Sequence, residues 1–171
     1  MVTINIAYTA PINRPGQTPL TTPQVWAGLV RKVRHAEEFV PAISSCTVDS
    51  ESKNADGQAV ITRYVNFGQA APMPSSGGER GEVREVCTLF PPHRVDFVQD
   101  DGTKVWNYVS QGPGREGEDL YLTYVFEARD AGLVEGSEGA VDLEGRFKAT
   151  AKKAVESSIE TIRRLVGEGK L

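Results

Sequence analysis

The stretch that most limits how this chain can fold is its last thirty or so residues. Between Ser137 and Val166 there is no proline, and apolar residues recur at helical spacing: Phe147, Ala151, Ala154, Val155, Ile159, Ile162, Leu165 and Val166. Gaps of three and four align these residues as one stripe along a helix of roughly 45 Å, at about 1.5 Å of rise per residue. Arg146, Lys148, Lys152, Lys153, Glu156, Glu160, Arg163 and Arg164 take the other faces. Glu156, Glu160 and Arg164 are spaced for i,i+4 support. A helix this long and one-sided requires a broad apolar surface to lie on.

The middle of the chain offers that surface. Its apolar period changes from helical to two, which predicts strands at 46–50, 59–67, 82–90, 94–99, 104–111 and 119–128. Short turns join them, at Asn54–Gly57, Pro91–His93, Asp100–Gly102 and Gly112–Gly117, so the strands form an antiparallel meander. The segment 68–81 is rich in Gly, Ala, Pro and Ser and reads as a mobile hairpin tip whose length permits a lid. Upstream, Val2, Ile4, Ile6 and Tyr8 alternate as a first strand, followed by a proline-rich loop from Pro11 to Pro19. Thr21 and Gln24 then match a capping box, with Leu20 and Val25 placed as a hydrophobic staple. They open a helix whose buried face is Val25, Trp26, Leu29, Val30 and Val33, and a second helical turn follows at Ala36–Phe39.

The order is one strand, two short helices, six strands and one long helix. With 171 residues, 39% of them hydrophobic, the chain is expected to form a single domain, 1–171, with a substantial core. Net charge is −4 without a basic stripe, which argues against nucleic acid. The start lacks the basic and apolar regions of a signal peptide, and no apolar run approaches the about 18 residues of a membrane span. Cys46 and Cys87 are too few for a disulfide framework, so a reducing cytoplasm is the expected location. The sequence leaves monomer and homodimer open.

Thr-x-x-Val-Trp at 22–26 and the run from His35 to Pro41, taken with this element order, resemble the helix-grip fold (SRPBCC) shared by START lipid-transfer domains and birch-pollen-allergen-like proteins. Ala36-Glu37-Glu38-Phe39-Val40-Pro41, Arg94-Val95-Asp96-Phe97-Val98 and Asp119-Leu120-Tyr121-Leu122-Thr123-Tyr124 are similar to one branch of it, small single-domain proteins of fungi and bacteria sometimes encoded in fungal secondary-metabolite clusters. The resemblance covers nearly the whole chain. It implies an α+β fold with a seven-stranded antiparallel sheet curved around the C-terminal helix, enclosing a cavity for a hydrophobic small molecule. The branch carries no diagnostic catalytic motif.

Several motifs have a plain structural reading. Gly112 to Gly117 matches G-x-G-x-x-G, but a strand follows where a dinucleotide site needs a helix. His35 and His93 have no visible orienting partner, and no cluster has metal-ligand spacing. Neither metal nor cofactor is expected. Cys46 and Cys87 sit on strands and suit packing.

Polar residues on apolar strand faces are more informative. Arg63 shares a face with Ile61, Val65 and Phe67; Glu85 with Val83, Cys87 and Leu89; Asn107 with Val105 and Val109; Tyr124 with Leu120, Leu122 and Phe126. One reading is an Arg63–Glu85 cross-strand pair that only satisfies itself, as buried charges must. The other is an apolar pocket with a few fixed polar groups. There Arg63 and Glu85 are the catalytic candidates, one holding an oxyanion and the other moving protons. Asn107, Tyr124, Phe67, Phe126 and Phe147 are the ligand-binding candidates. Three functions fit: a cofactor-independent tailoring enzyme (cyclase, isomerase or dehydratase) acting on a polyketide-like metabolite, a non-catalytic lipid or metabolite carrier, and a partner-binding scaffold.

Overall fold

A computed structural model describes residues 2–67, 82–130 and 132–171; the segment expected to be a hairpin tip or lid lies outside them. Seven strands form one antiparallel sheet: β1 (Val2–Pro11), β2 (Ser45–Lys53), β3 (Ala59–Asn66), β4 (Glu82–Phe90), β5 (Arg94–Gln99), β6 (Lys104–Gln111) and β7 (Leu120–Asp130). Their spatial order is β1-β7-β6-β5-β4-β3-β2. Every sheet neighbour is also a chain neighbour except β1, which pairs with β7 from Val2 opposite Asp130 to Pro11 opposite Tyr121. The proline expected to open a loop therefore still belongs to the ladder. β1 is an edge strand, where the missing N–H of Pro11 is tolerated.

The loop after β1 is fastened rather than free. Asn13 donates from Nδ2 to the carbonyls of Leu20 and Glu118 and accepts from the Leu20 amide. Helix α1 (Thr22–Arg34) then starts as its sequence demands. Thr21 accepts from the Gln24 amide, and the Gln24 side chain accepts from the Thr21 amide at 2.9 Å. The staple residues Leu20 and Val25 are both buried. A 3₁₀ turn at Ala36–Glu38 follows.

Helix α2 (Glu138–Gly167) lies against β1 and β7 and buries Leu143, Phe147, Ala151, Val155, Ile159, Ile162 and Leu165. Full burial of each large aliphatic or aromatic side chain contributes about 1.5–3 kcal/mol, so this stripe holds the helix on the sheet. Its polar faces differ in detail from expectation: Arg164 bonds Glu168, and Glu156 accepts from Tyr8 of the first strand. Helices α1 and α2 meet at Gly28, where an added Cβ would overlap Ile162. Only glycine lets the two backbones come this close.

β2 is the opposite edge of the sheet. It is mostly exposed and carries Asp49, Glu51 and Lys53, with a register irregularity between Val48 and Ser50. Charge and a bulge are two ways an edge resists pairing with another chain.

Candidate functional site

The alternation in β3, β4 and β5 turns Arg63, Glu85 and Gln99 inward, and the register sets them side by side: Arg63 opposite Glu85, Glu85 opposite Gln99. Arg63 donates to Glu85 Oε2 from Nε at 2.9 Å and from Nη2 at 2.6 Å. Gln99 donates to Glu85 Oε1 at 2.9 Å. The remaining arm of the guanidinium, Nη1, donates to the carbonyls of Lys32 and Val33 at 2.8 and 3.0 Å. Those carbonyls belong to the last turn of α1, where no intrahelical donor remains and a positive charge is favoured. Arg63 thus ties the end of α1 to the sheet. Burial opposes its charge, but the facing Glu85, with smaller contributions from Cys87 and Cys46, leaves its pKa raised.

A second polar group enters from α1 itself. Lys32 is only 6% exposed. Its Nζ donates to Asn107 Oδ1 at 2.9 Å and sits 4.0 Å from the centre of the Tyr124 ring and 5.3 Å from that of Phe97. Both lie within cation–π range. No carboxylate pairs with it among the described residues. Burial chiefly, then the Arg63 charge, brings its pKa from 10.5 down to about 7, against the opposing pull of Glu85 and Cys87. Tyr124 is fully enclosed, donates to Ser158 at 2.7 Å, and has its phenol pKa raised by burial.

These groups border a cavity of about 80 Å³ between the sheet, α1 and α2. Its wall is otherwise apolar and includes Phe67, Phe97, Phe126, Ile43 and Ala154. Phe67 and Ile43 belong to a small apolar cluster, and Phe97, Phe126 and Ala154 to the main core. The cavity therefore marks the seam between two apolar clusters.

Five of the seven residues expected from the sequence line this cavity: Arg63, Glu85, Tyr124, Phe67 and Phe126. The other two stand one layer away. Asn107 is completely buried and reaches the cavity through Lys32, while Phe147 packs edge-on against Phe126 at 6.3 Å. Lys32 and Gln99 are additions. Lys32 lies three residues after Leu29 and seven after Val25, within the apolar stripe of α1, so the charge out of pattern was its signal. Gln99 continues the inward alternation of Val95 and Phe97.

The remaining motifs are structural. The Gly112–Gly117 loop turns its amides inward: Gly112 donates to the Asp119 carbonyl, Gly114 to its carboxylate and Gly117 to Gln111. No phosphate cradle is left. The buried Cys87 thiol is pushed up to about 12, mainly by desolvation, which makes it an inert packing residue. His93 Nδ1 contacts the Val109 carbonyl at 3.1 Å.

A family model described as acetylaranotin biosynthesis cluster protein L, AtaL, matches residues 6–169 of the chain. The chain belongs to the AtaL family. It is 30% identical to the acetylaranotin biosynthesis cluster protein L of Aspergillus terreus over 170 residues, 99% of this chain and 94% of that protein. Among solved structures, the ZhuI aromatase/cyclase from Streptomyces sp. R1128 superposes with a TM-score of 0.58 at 13% identity, covering 98% of this chain and 95% of that one. A START superfamily protein from Mycobacterium smegmatis gives 0.58 at 10% identity, covering 92% and 98%. At such identities the likeness is one of fold, and it assigns this AtaL-family chain to the helix-grip architecture. No helix among the described residues is long and apolar enough to cross a membrane.

Proposed function

We propose that this AtaL-family chain acts as one domain that binds an apolar secondary metabolite between its sheet and C-terminal helix and tailors it by cyclisation, isomerisation or dehydration without a cofactor. The observation that carries this reading is the wall of the cavity: aromatic and aliphatic surface interrupted by Lys32, the Arg63–Glu85 pair and Tyr124. An apolar chamber with a few fixed polar groups is the usual form of a small-molecule site. The membership of a relative in a biosynthesis cluster, and the aromatase/cyclase name of one structural neighbour, support the choice of metabolite class.

In this reading Arg63 and Glu85 are the catalytic pair. Each is held rigid by its partners, so the field at the reacting atoms is in place before the substrate arrives. Glu85 moves a proton and Arg63 stabilises the oxyanion that results, while the aromatic wall aligns the substrate and keeps water out.

One observation favours a second reading, a carrier that does not alter its ligand. Both Glu85 oxygens and three nitrogens of Arg63 are occupied by protein partners. Chemistry through them would require rearranging bonds already made.

The test is native mass spectrometry of protein purified from its own source, followed by extraction of what is bound and incubation of that compound with fresh protein. A converted product supports the enzyme, and unaltered compound supports the carrier. If conversion occurs, Glu85→Gln is expected to slow it by about 100-fold, the scale of a lost proton-transfer group. Wild-type turnover by a folded Glu85→Gln protein would remove Glu85 from the mechanism.

A further inference from the structure

The polar groups of the cavity are not equally satisfied. Glu85, Arg63 and Gln99 form a closed set in which both carboxylate oxygens are occupied. Lys32 has three N–H donors when protonated and, among the described residues, one hydrogen-bond acceptor, Asn107 Oδ1. The same Asn107 amide has its Nδ2 buried and without a partner among the described residues. Open valences at this corner are thus donors. A buried cation set against two ring faces and paired with no carboxylate among the described residues is a costly arrangement unless something brings an acceptor to it.

We propose that the cavity takes an apolar molecule bearing one acidic oxygen (a carboxylate, an enol or a phenol), and that Lys32 receives that oxygen as an ion pair. The inference rests on the cavity being the binding site argued above, and it adds the chemistry by which a ligand is selected. Lys32 lines the cavity wall, so an incoming oxygen reaches Nζ without displacing the Arg63–Glu85 pair. Tyr124 and Phe97 flank the amine and exclude water from the contact, which strengthens it.

The charged and titratable groups facing Lys32 are Arg63 from β3, Glu85 and Cys87 from β4, and Tyr124 from β7. Arg63 acts on the amine more strongly than Glu85, which opposes it in part, and the thiol and phenol stay neutral near pH 7 because burial raises their pKa values. Lys32 is therefore the group that changes charge in the physiological range, held near 7. A carboxylate at Nζ favours the protonated amine, so above that pH its binding draws one proton from solution, whereas an enol or phenol that arrives protonated supplies that proton itself. Either way one proton reaches the amine, an ion pair results, and no covalent bond forms.

Octanoate and octan-1-ol make a matched probe pair for isothermal titration calorimetry on the full chain, run in buffers of differing ionisation enthalpy. Octanoate is expected to bind at least about tenfold more tightly than octanol, the scale of one charged hydrogen bond. Uptake should be close to one proton per chain at pH 8.5 and fall towards none at pH 6. Lys32→Met, which keeps the side-chain volume, should remove both the preference and the uptake while octanol binds within about twofold of wild type. Equal affinity for the two probes, or octanoate binding with no uptake at pH 8.5, would overturn the proposed role of Lys32 while leaving the cavity as a binding site. Failure of both probes to bind would overturn the site itself. The proton count is read on the wild-type protein, so the outcome stands even if Lys32→Met does not fold.

Discussion

Two corners of one cavity treat charge in opposite ways. At the β3–β4–β5 corner, Arg63, Glu85 and Gln99 meet in register and fill one another's hydrogen-bonding capacity, with the end of α1 as the fourth member. At the α1–β6–β7 corner, Lys32 meets an amide and a phenol ring and forms no ion pair among the described residues. The first is a fastening: it satisfies groups that would otherwise be unpaired, and it fixes where α1 ends. The second is an opening: its stability is sacrificed at neutral pH and is recovered when an acceptor arrives. A charged side chain in a cavity is thus no sign of function by itself. What separates the two corners is the count of donors against acceptors.

The sharpest way to break the comparison is Arg63→Ala. It leaves the Glu85 carboxylate without its ion-pair partner, the Lys32 carbonyl without its guanidinium donor and the Val33 carbonyl with only the weak Cys46 thiol contact, and is expected to cost about 3–5 kcal/mol in urea unfolding. The double variant Arg63→Met/Glu85→Met should regain only part of that loss, because an apolar pair replaces the ion pair at little cost while the α1 carbonyls and Gln99 stay without those partners.

Lys32→Met should act in the opposite direction. The wild-type amine has a folded pKa near 7 and an ordinary value of 10.5. Between those values the unfolded chain binds more protons, so stability rises with pH across the window and the full penalty is present below about pH 7. Removing the amine should raise stability at pH 6 by roughly 3–5 kcal/mol and flatten the profile between pH 7 and 10.5. A variant less stable than wild type at pH 6 in urea unfolding would mean that the Lys32–Asn107 hydrogen bond outweighs the cost of burying the amine.

Gly28→Ala probes the seat of the amine rather than the amine. The new methyl would press on Ile162 and lift α1 from α2 one turn before Lys32, at a cost of about 1–3 kcal/mol by thermal or chemical unfolding. Ser158→Ala is the mildest. It removes the acceptor of the Tyr124 phenol and should cost about 1–2 kcal/mol, with the ring still over Lys32 and the pH profile of stability unchanged.

Much of this architecture was legible in the residues. The alternation in β3 to β7 and the spacing on α2 reflect a solvent-facing and a core-facing side, which binary pattern encodes directly. The capping box of α1 is local chemistry and was equally readable. Pro11 was misplaced because its tolerance in a ladder depends on β1 being an edge strand, a property of the whole sheet. The site was legible in halves. Arg63 and Glu85 violate a strand pattern and so stand out, but whether they are free or locked depends on register between strands. Lys32 violates a helical pattern just as clearly. A lone lysine near the end of a helix, however, also suits the dipole there, and its burial depends on a sheet contributed by residues far along the chain.

The topology carries one more consequence, for how such proteins diversify. β1 and β2 are consecutive in the chain yet lie at opposite edges of the sheet, so the connection that contains α1 must travel the full width of the molecule. The amine rides on that traverse, while the saturated trio is written into the strands. Sequence change along α1 can therefore swap the group that greets a ligand without disturbing strand pairing, whereas change at Arg63 or Glu85 strikes the ladder and the helix end together. A lineage of these proteins would be expected to explore new ligand chemistries through the crossing segment first, keeping the woven half of the chamber as inherited.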